Sequence, residues 1–75
     1  MTDSNEIEAL KASFRGALGT AAALAALEDR VLALDPRAEI PAEDLDELAR
    51  VTLAHAVSSQ ALRGLIESMR ARRMA

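Results

Sequence analysis

Residues 35–41 read DPRAEIP, and this stretch divides the chain into two halves that both carry helix signals. A residue before a proline avoids the helical region of backbone space, so Asp35 ends any helix that arrives from the N-terminal side. Pro41 suits the first position of a new helix, where its missing N–H needs no partner. The stretch therefore predicts a turn over residues 35–41 between two helices.

The flanking segments predict one helix over residues 4–34 and a second over residues 42–72. Asp3, followed three residues later by Glu6, resembles a capping box at the start of the first helix. Acidic residues early in the second helix and arginines late in it suit the helix dipole. The two helices have equal length, about 46 Å each at 1.5 Å per residue. Equal helices joined by a short turn predict an antiparallel hairpin, with residues 1–75 as a single domain.

A second interpretation breaks the first helix at Gly19-Thr20, with Thr20 as the cap of a separate helix. That would give three helices instead of two. The apolar spacing runs through the glycines without a change of phase, which favours one continuous helix.

The composition indicates an all-α protein. Hydrophobic residues make up 51% of the 75 residues and aromatic residues 1%, the latter being Phe14 alone. The apolar content is therefore mostly Ala and Leu, which suits close helix packing, and the scarcity of β-branched and aromatic residues disfavours strands. Cysteine is absent, so no disulfide or thiolate–metal site can stabilise so short a chain.

A 3-4 spacing of apolar and small residues predicts the seam between the two helices. When the hairpin is folded at its turn, partner residue numbers sum to 76, as in Ala21 with His55. Glu28 also falls on this pattern, and Leu27 beside it is the alternative at that level. The predicted intramolecular seam consists of Ile7, Leu10, Phe14, Ala17, Ala21, Leu24, Val31, Leu45, Leu48, Thr52, His55, Ser59, Leu62, Ile66 and Met69.

An uncharged belt, formed by Gly16–Leu27 and Val51–Leu62, lies at the middle of the predicted hairpin. A helix that is uncharged all round is normally buried all round, so the belt predicts contact with further helices. Two hairpins would then form a four-helix bundle, as a homodimer or a higher oligomer, or the belt would bind a heterologous helical protein. The predicted partner interface consists of Leu18, Ala22, Ala25, Leu53, Ala56, Val57 and Leu65.

The chain offers little that indicates catalysis or metal binding. His55 is the only histidine, and its neighbours one helical turn away are Val51, Thr52, Ser58 and Ser59, none of them a good metal ligand. We therefore expect a packed or interface histidine, and no metal, cofactor or enzyme activity.

Polar side chains gather in the middle of the second helix, where Thr52, Ser58, Ser59 and Gln60 lie close in sequence. Buried hydrogen bonds among them could select a register or a partner. The alternative is that each hydroxyl bonds to the carbonyl oxygen one turn earlier in its own helix.

The charge pattern disfavours nucleic-acid and membrane partners. The formal net charge is -3, and the hairpin would place its C-terminal arginines beside acidic residues of the N-terminal segment. No uncharged stretch approaches the roughly 20 residues that span a bilayer, and the acidic N-terminus is not a secretory signal. We therefore expect a cytoplasmic protein. The arginines are Arg63, Arg70, Arg72 and Arg73, and the acidic residues are Asp3, Glu6 and Glu8.

Two resemblances bear on function. The stretch Ser59–Ile66 (SQALRGLI) resembles a motif of small phosphatases that are also helical hairpins, but Arg63 stands where that family has its functional Asp, which removes the implied activity. In outline the chain also resembles helical-hairpin subunits and chaperones of type III secretion systems, which turn at a proline-containing loop.

The sequence thus favours a non-enzymatic, self-associating interaction module. The alternative is a small adaptor, chaperone or inhibitor that folds on another protein. An accessory subunit of an enzyme, or a small enzyme that uses His55, is least favoured.

Overall fold

The computed structural model describes residues 4–74, which form two α-helices joined by a turn. Helix α1 spans Ser4–Leu32 and helix α2 spans Ala42–Met74. They pack against each other as an antiparallel hairpin 56 Å long, 18 Å wide and 17 Å deep. The predicted all-α, two-helix architecture is confirmed. Asp3, predicted to cap α1, lies outside the described residues.

Helix α1 ends at Leu32, two residues before the predicted boundary, because its last turn tightens. The N–H of Ala33 still donates to the carbonyl of Asp29 at 3.2 Å, but the N–H of Leu34 donates to Val31 at 3.1 Å. That step from a four-residue to a three-residue bond is the usual way in which a helix end satisfies its last carbonyls. Asp35 then precedes Pro36 and leaves the helical region.

The turn is held by hydrogen bonds around Pro36. The N–H of Ala38 donates to the carbonyl of Asp35 at 2.9 Å, and the Asp35 carboxylate accepts the N–H of Arg37 at 2.9 Å. Pro36 occupies the second position of this β-turn, where its fixed φ is already suitable.

Pro41 lies at the N-cap of α2 and not at the predicted first helical position. Its carbonyl accepts the N–H groups of Asp44, at 3.0 Å, and Leu45, at 3.2 Å, which is the bonding pattern of the residue before a helix. Helix α2 therefore begins at Ala42 and continues to Met74, two residues beyond the predicted end.

Helix α1 runs through Gly19 and Thr20 without the break of the second interpretation. The Thr20 hydroxyl lies 3.2 Å from the carbonyl oxygen of Gly16 and 3.0 Å from that of Ala17. A threonine that bonds back to its own helix in this way sits inside a helix and does not cap one.

The hairpin has almost no core of its own. Among the described residues only Ala17 and Leu27 are buried apolar side chains. The accessible surface is 5964 Å², against about 4,450 Å² for a compact monomer of this mass. The radius of gyration is 17.0 Å, against about 11 Å for a compact domain of this length. Within residues 4–74, neither helix holds a segment long and apolar enough to cross a bilayer.

Candidate functional site

A cluster of hydroxyl groups surrounds His55 in the middle of the seam. Thr20 Oγ1 lies 3.0 Å from His55 Nδ1 and 2.7 Å from Ser58 Oγ, and these contacts join α1 to α2. On the other side of the ring, Ser59 Oγ lies 3.4 Å from His55 Nε2. Both ring nitrogens therefore face groups that can donate or accept, so either imidazole tautomer fits the cluster.

The groups around His55 suit the packing of the two helices better than they suit catalysis. A serine nucleophile needs a base that a third group orients and an oxyanion hole of free N–H donors. Here the group that contacts His55 Nδ1 is the neutral Thr20 hydroxyl and not a carboxylate. The surrounding backbone lies inside α1 and α2, where N–H groups are hydrogen-bonded within the helix. Among the described residues, no group of three or more His, Asp or Glu side chains is arranged to hold a metal ion.

The hydroxyl groups of Thr52 and Ser58 differ in whether they reach the other helix. Thr52 lies on the exposed side and bonds to its own helix, at 2.8 Å from the carbonyl oxygen of Leu48 and 3.0 Å from that of Ala49. Ser58 also donates to its own helix, at 3.2 Å from the carbonyl of His55, yet it reaches Thr20 across the seam. Of these two hydroxyl groups, that of Ser58 therefore crosses the seam and that of Thr52 does not.

The seam in the structure is rotated relative to the predicted seam. On α1, Leu10, Ala17 and Leu24 face α2 as predicted. The second set of seam residues lies three positions after each of these and not four, so it consists of Ser13, Thr20 and Leu27. That change turns the contact face by about 50° at 3.6 residues per turn. Helix α2 changes in the same sense, so that Val51, Ser58 and Leu65 join the seam, with Ser59 and Ile66 still half-buried.

The rotation sorts the predicted seam residues into two groups. Leu27 is buried and Glu28 exposed, so Leu27 takes the position that Glu28 would have held. The predicted seam residues that are buried or half-buried are Leu10, Ala17, Ala21, Leu24, Leu48, His55, Ser59, Leu62, Ile66 and Met69. Those that are exposed instead are Ile7, Phe14, Val31, Leu45 and Thr52. The seam also includes Ser13 and Thr20, which the prediction omitted.

The contacts across the seam keep close to the predicted register. Thr20 meets His55, and Arg30 pairs with Glu47 at 3.4 Å, so each pair lies within one residue of a sum of 76. Arg30 also pairs with Asp44 at 3.6 Å. Near the chain ends Glu6, largely covered, pairs with Arg72. This last pair is one of the acidic–basic contacts that the hairpin was expected to create.

These cross-helix polar contacts define one long side of the hairpin, which we call the Arg30 flank. It carries Arg30 with Asp44 and Glu47 near the turn, and the Glu6–Arg72 pair near the chain ends. Between them, small residues follow the helical spacing on this side, namely Ala9, Gly16 and Ala23 on α1 and Ala54, Ala61 and Ser68 on α2.

The opposite long side, which we call the Phe14 flank, carries large apolar side chains in solvent. Ile7, Phe14 and Leu45 are displaced onto it by the rotation of the seam, and Phe14 is 44% exposed. Toward the chain ends of this flank lies a cleft of about 250 Å³, lined by Leu10, Ile66, Met69, Arg70 and Arg73. By helical spacing the flank consists of Ser4, Ile7, Lys11, Phe14, Leu18, Ala21, Ala25, Glu28, Leu32, Leu45, Ala49, Thr52, Ala56, Ser59, Arg63, Ile66, Arg70 and Arg73.

The predicted partner interface is exposed at six of its seven positions. Leu18 and Leu53 are each 66% exposed and Val57 is 61% exposed. Leu65 differs, because the rotation of α2 brings it half-buried into the seam. The exposed positions are Leu18, Ala22, Ala25, Leu53, Ala56 and Val57.

A further apolar groove lies at the turn. It has a volume of about 320 Å³ and is lined by Leu27, Val31, Leu34, Ile40 and Leu48, with the Arg30 ion pairs on its rim. It lies where the chain leaves α1 and reverses direction into α2.

Thr20 is the seam residue whose omission from the prediction matters most. Thr20 carries a signal that could have indicated it, since it is the sole hydroxyl in a run of Gly, Ala and Leu and lies at the level of His55. A buried polar side chain needs a partner, and the hydroxyls of α2 are the partners within reach.

Comparisons with protein-family models, with curated proteins and with solved structures find no match to this chain. The resemblances to helical-hairpin phosphatases and to secretion-system hairpins therefore gain no support from them. Function has to be argued from the surface and the seam of the hairpin.

Proposed function

We propose that this protein is a non-enzymatic interaction module that self-associates through its uncharged central belt. The observation that carries the proposal is the near absence of a core: two apolar side chains are buried, while eleven large ones are exposed among the described residues. So many exposed large apolar side chains beside so small a core are typical of a chain that binds a partner.

The size of the excess surface supports a partner of comparable length. The hairpin exposes roughly 1,500 Å² more than a compact monomer of the same mass. A standard interface removes about 800 Å² from each partner, and permanent interfaces remove more. Packing against a second hairpin would cover an area of that order and produce a four-helix bundle.

The belt residues suit helix–helix contact. Leu18 and Leu53 supply large apolar groups, and Ala22, Ala25 and Ala56 let a neighbouring backbone come close. In Gly16–Leu27 and Val51–Leu62 no side chain is charged when His55 is neutral. Burial of the belt therefore leaves no unpaired charge, which would be costly.

The decisive experiment is the absolute mass of the full chain by chromatography with light scattering at micromolar concentration. We expect at least twice 8.0 kDa. A monomer that unfolds cooperatively would overturn the proposal. A chain that is soluble but unfolds without cooperativity would instead favour the adaptor, chaperone or inhibitor that folds on a different protein.

Leu18→Glu tests the belt itself. We expect this variant to lose self-association, because it would bury a carboxylate among apolar groups. Met74→Glu is the matched control, since Met74 is 82% exposed and lies outside the belt. Equal mass for both variants would rule out the belt as the contact surface.

A further inference from the structure

The two flanks of the hairpin offer different surfaces to a second copy. The Arg30 flank is closed at both ends by cross-helix ion pairs, and its middle carries Gly and Ala. The Phe14 flank exposes Ile7, Phe14, Leu18 and Leu45. Because apolar area drives association, the Phe14 flank gains more from being covered.

The dimensions of the flank meet the needs of a dimer. A face 56 Å by 18 Å covers on the order of 1,000 Å², more than the roughly 800 Å² per partner of a standard interface. A second copy matches its full length, which a short peptide does not.

Charge on the Phe14 flank is separated along its length, and this selects an orientation. Lys11, Arg63 and Arg70 lie on the half nearer the chain ends, whereas Glu28 lies on the half nearer the turn. Lys11 and Arg70 each pair with an exposed glutamate one turn away in their own helix, which reduces the positive charge of that half and does not remove it, since Arg63 lies there too. Two copies aligned with their turns at the same end would bring the basic halves together, and like charges at an interface oppose association. Reversal of one copy separates the basic halves and brings Lys11 of each copy to Glu28 of the other.

Side-chain size on α1 favours the same orientation. The half nearer the chain ends carries the bulky Ile7 and Phe14, and the half nearer the turn carries Ala21 and Ala25, with Leu32 at the end of the helix. When α1 of one copy runs opposite to α1 of the other, Phe14 comes to lie over alanines. Large groups facing small ones is how packed helices interdigitate.

We propose that two copies pack through the Phe14 flank in reversed orientation, α1 against α1 and α2 against α2, with the two turns at opposite ends of a four-helix bundle. The two-fold axis crosses α1 near Gly19-Thr20, midway between Lys11 and Glu28. This inference rests on the proposed self-association. Of the belt residues, Leu18, Ala25 and Ala56 face the second copy, whereas Leu53 and Val57 do not. The contact also extends beyond the belt, to Phe14 and Glu28 on α1.

A distance measurement tests the orientation. The chain has no cysteine, so Ala38→Cys in the turn accepts one nitroxide label per chain. Reversed packing places the two labels about 50 Å apart or more, since the hairpin is 56 Å long. Labels on the order of 20 Å apart, about one bundle diameter at 10 Å per helix, would mean turns at the same end and would overturn this inference while leaving self-association intact.

Charge exchange tests the pairing of Lys11 with Glu28. Lys11→Glu alone and Glu28→Lys alone are each expected to weaken dimerisation about tenfold, because each dimer contains two such pairs and both become repulsive. The double variant restores both pairs and should recover the original dissociation constant. Arg50→Glu makes the same charge change as Lys11→Glu, but away from the Phe14 flank, and should have little effect. Failure of the double variant to recover would contradict the pairing.

Phe14→Glu and Val57→Glu together test the choice of flank. We expect the first to give a monomer and the second to remain dimeric, with circular dichroism to show that both stay helical. The reverse result would place the second copy on the Arg30 flank. A wild-type monomer would overturn both this inference and the proposed function.

Discussion

At the scale of single residues, Thr20 is the side chain that joins the two helices by hydrogen bonds at their middle. Its hydroxyl lies within bonding distance of His55 Nδ1 and Ser58 Oγ. Alanine-rich helices slide past each other easily because their surfaces are smooth. A polar cluster at one level gives this seam a preferred register, since any slip would leave half-buried groups unpaired.

Thr20→Val keeps the shape of the side chain and removes its hydroxyl. We expect a loss of about 1–2 kcal/mol in the free energy of unfolding, because His55 and Ser58 each lose a bonding partner. Urea unfolding followed by circular dichroism, at one fixed protein concentration, measures the change. Thr52→Val is the matched control and should stay within about 0.5 kcal/mol, since that hydroxyl is exposed and bonds only to its own helix.

Gly16 lies on the Arg30 flank with open space where a Cβ would be. Gly16→Ala should raise the free energy of unfolding by about 1 kcal/mol through helix propensity alone. The mass in solution should not change, because the Phe14 flank is the proposed contact. If Gly16→Ala stabilised the helix but abolished the dimer, the second copy would pack closely against Gly16, and the contact would lie on the Arg30 flank.

At the scale of elements, the orientation of each helix about its own axis is the main difference between prediction and structure. In each helix one of the two predicted sets of seam residues faces the other helix, as Leu10, Ala17 and Leu24 do on α1. The other predicted set is replaced by the residues one position earlier in the chain. The exchange buries Leu27 in place of Glu28 and moves Phe14 outward. An exposed glutamate and a buried leucine cost less than the reverse, which explains the direction of the rotation near the turn.

The turn is a second element whose hydrogen bonds can be tested. Asp35→Ala removes the carboxylate that accepts the N–H of Arg37. We expect a loss of about 0.5–1.5 kcal/mol in the free energy of unfolding, as is usual for one such bond. Glu39→Ala is the control, because it removes a carboxylate from the same turn and leaves the bond between Asp35 and Arg37 in place. Equal effects of the two variants would show that charge, and not the bond, is responsible.

At the scale of the whole molecule, the two flanks of the hairpin differ in character, and this difference would fix which side of one copy meets the other in the proposed dimer. The Arg30 flank holds ion pairs that join α1 to α2. The Phe14 flank leaves its large apolar groups exposed, and its Lys11 and Arg70 pair with glutamates of their own helices. Because the described residues bury so few apolar side chains, the proposed association would supply much of the stability, and folding and association would then be parts of one process.

The thermal midpoint should therefore depend on protein concentration. If folding and dimerisation are coupled, a hundredfold increase in concentration should raise Tm on the order of 10 °C. Scanning calorimetry or circular dichroism over that range checks it. A midpoint independent of concentration would indicate a hairpin that is stable by itself.

Residues 35–41 and the helix signals around them determined the architecture without help from the tertiary structure. Proline chemistry, helix propensity and the absence of strand formers act locally, so they can be derived from the chain as written. The register was accessible for the same reason, because the turn fixes which levels of the two helices meet.

Only the tertiary structure decided which face of each helix lies in the seam. An Ala- and Leu-rich helix offers several neighbouring series of similar apolar character, and the free-energy difference between them depends on contacts with the other helix. Glu28 against Leu27, and Thr20 against the hydroxyls of α2, settled that choice. The choice in turn put Phe14 in solvent, and so created the flank through which we propose that the chain meets its own copy.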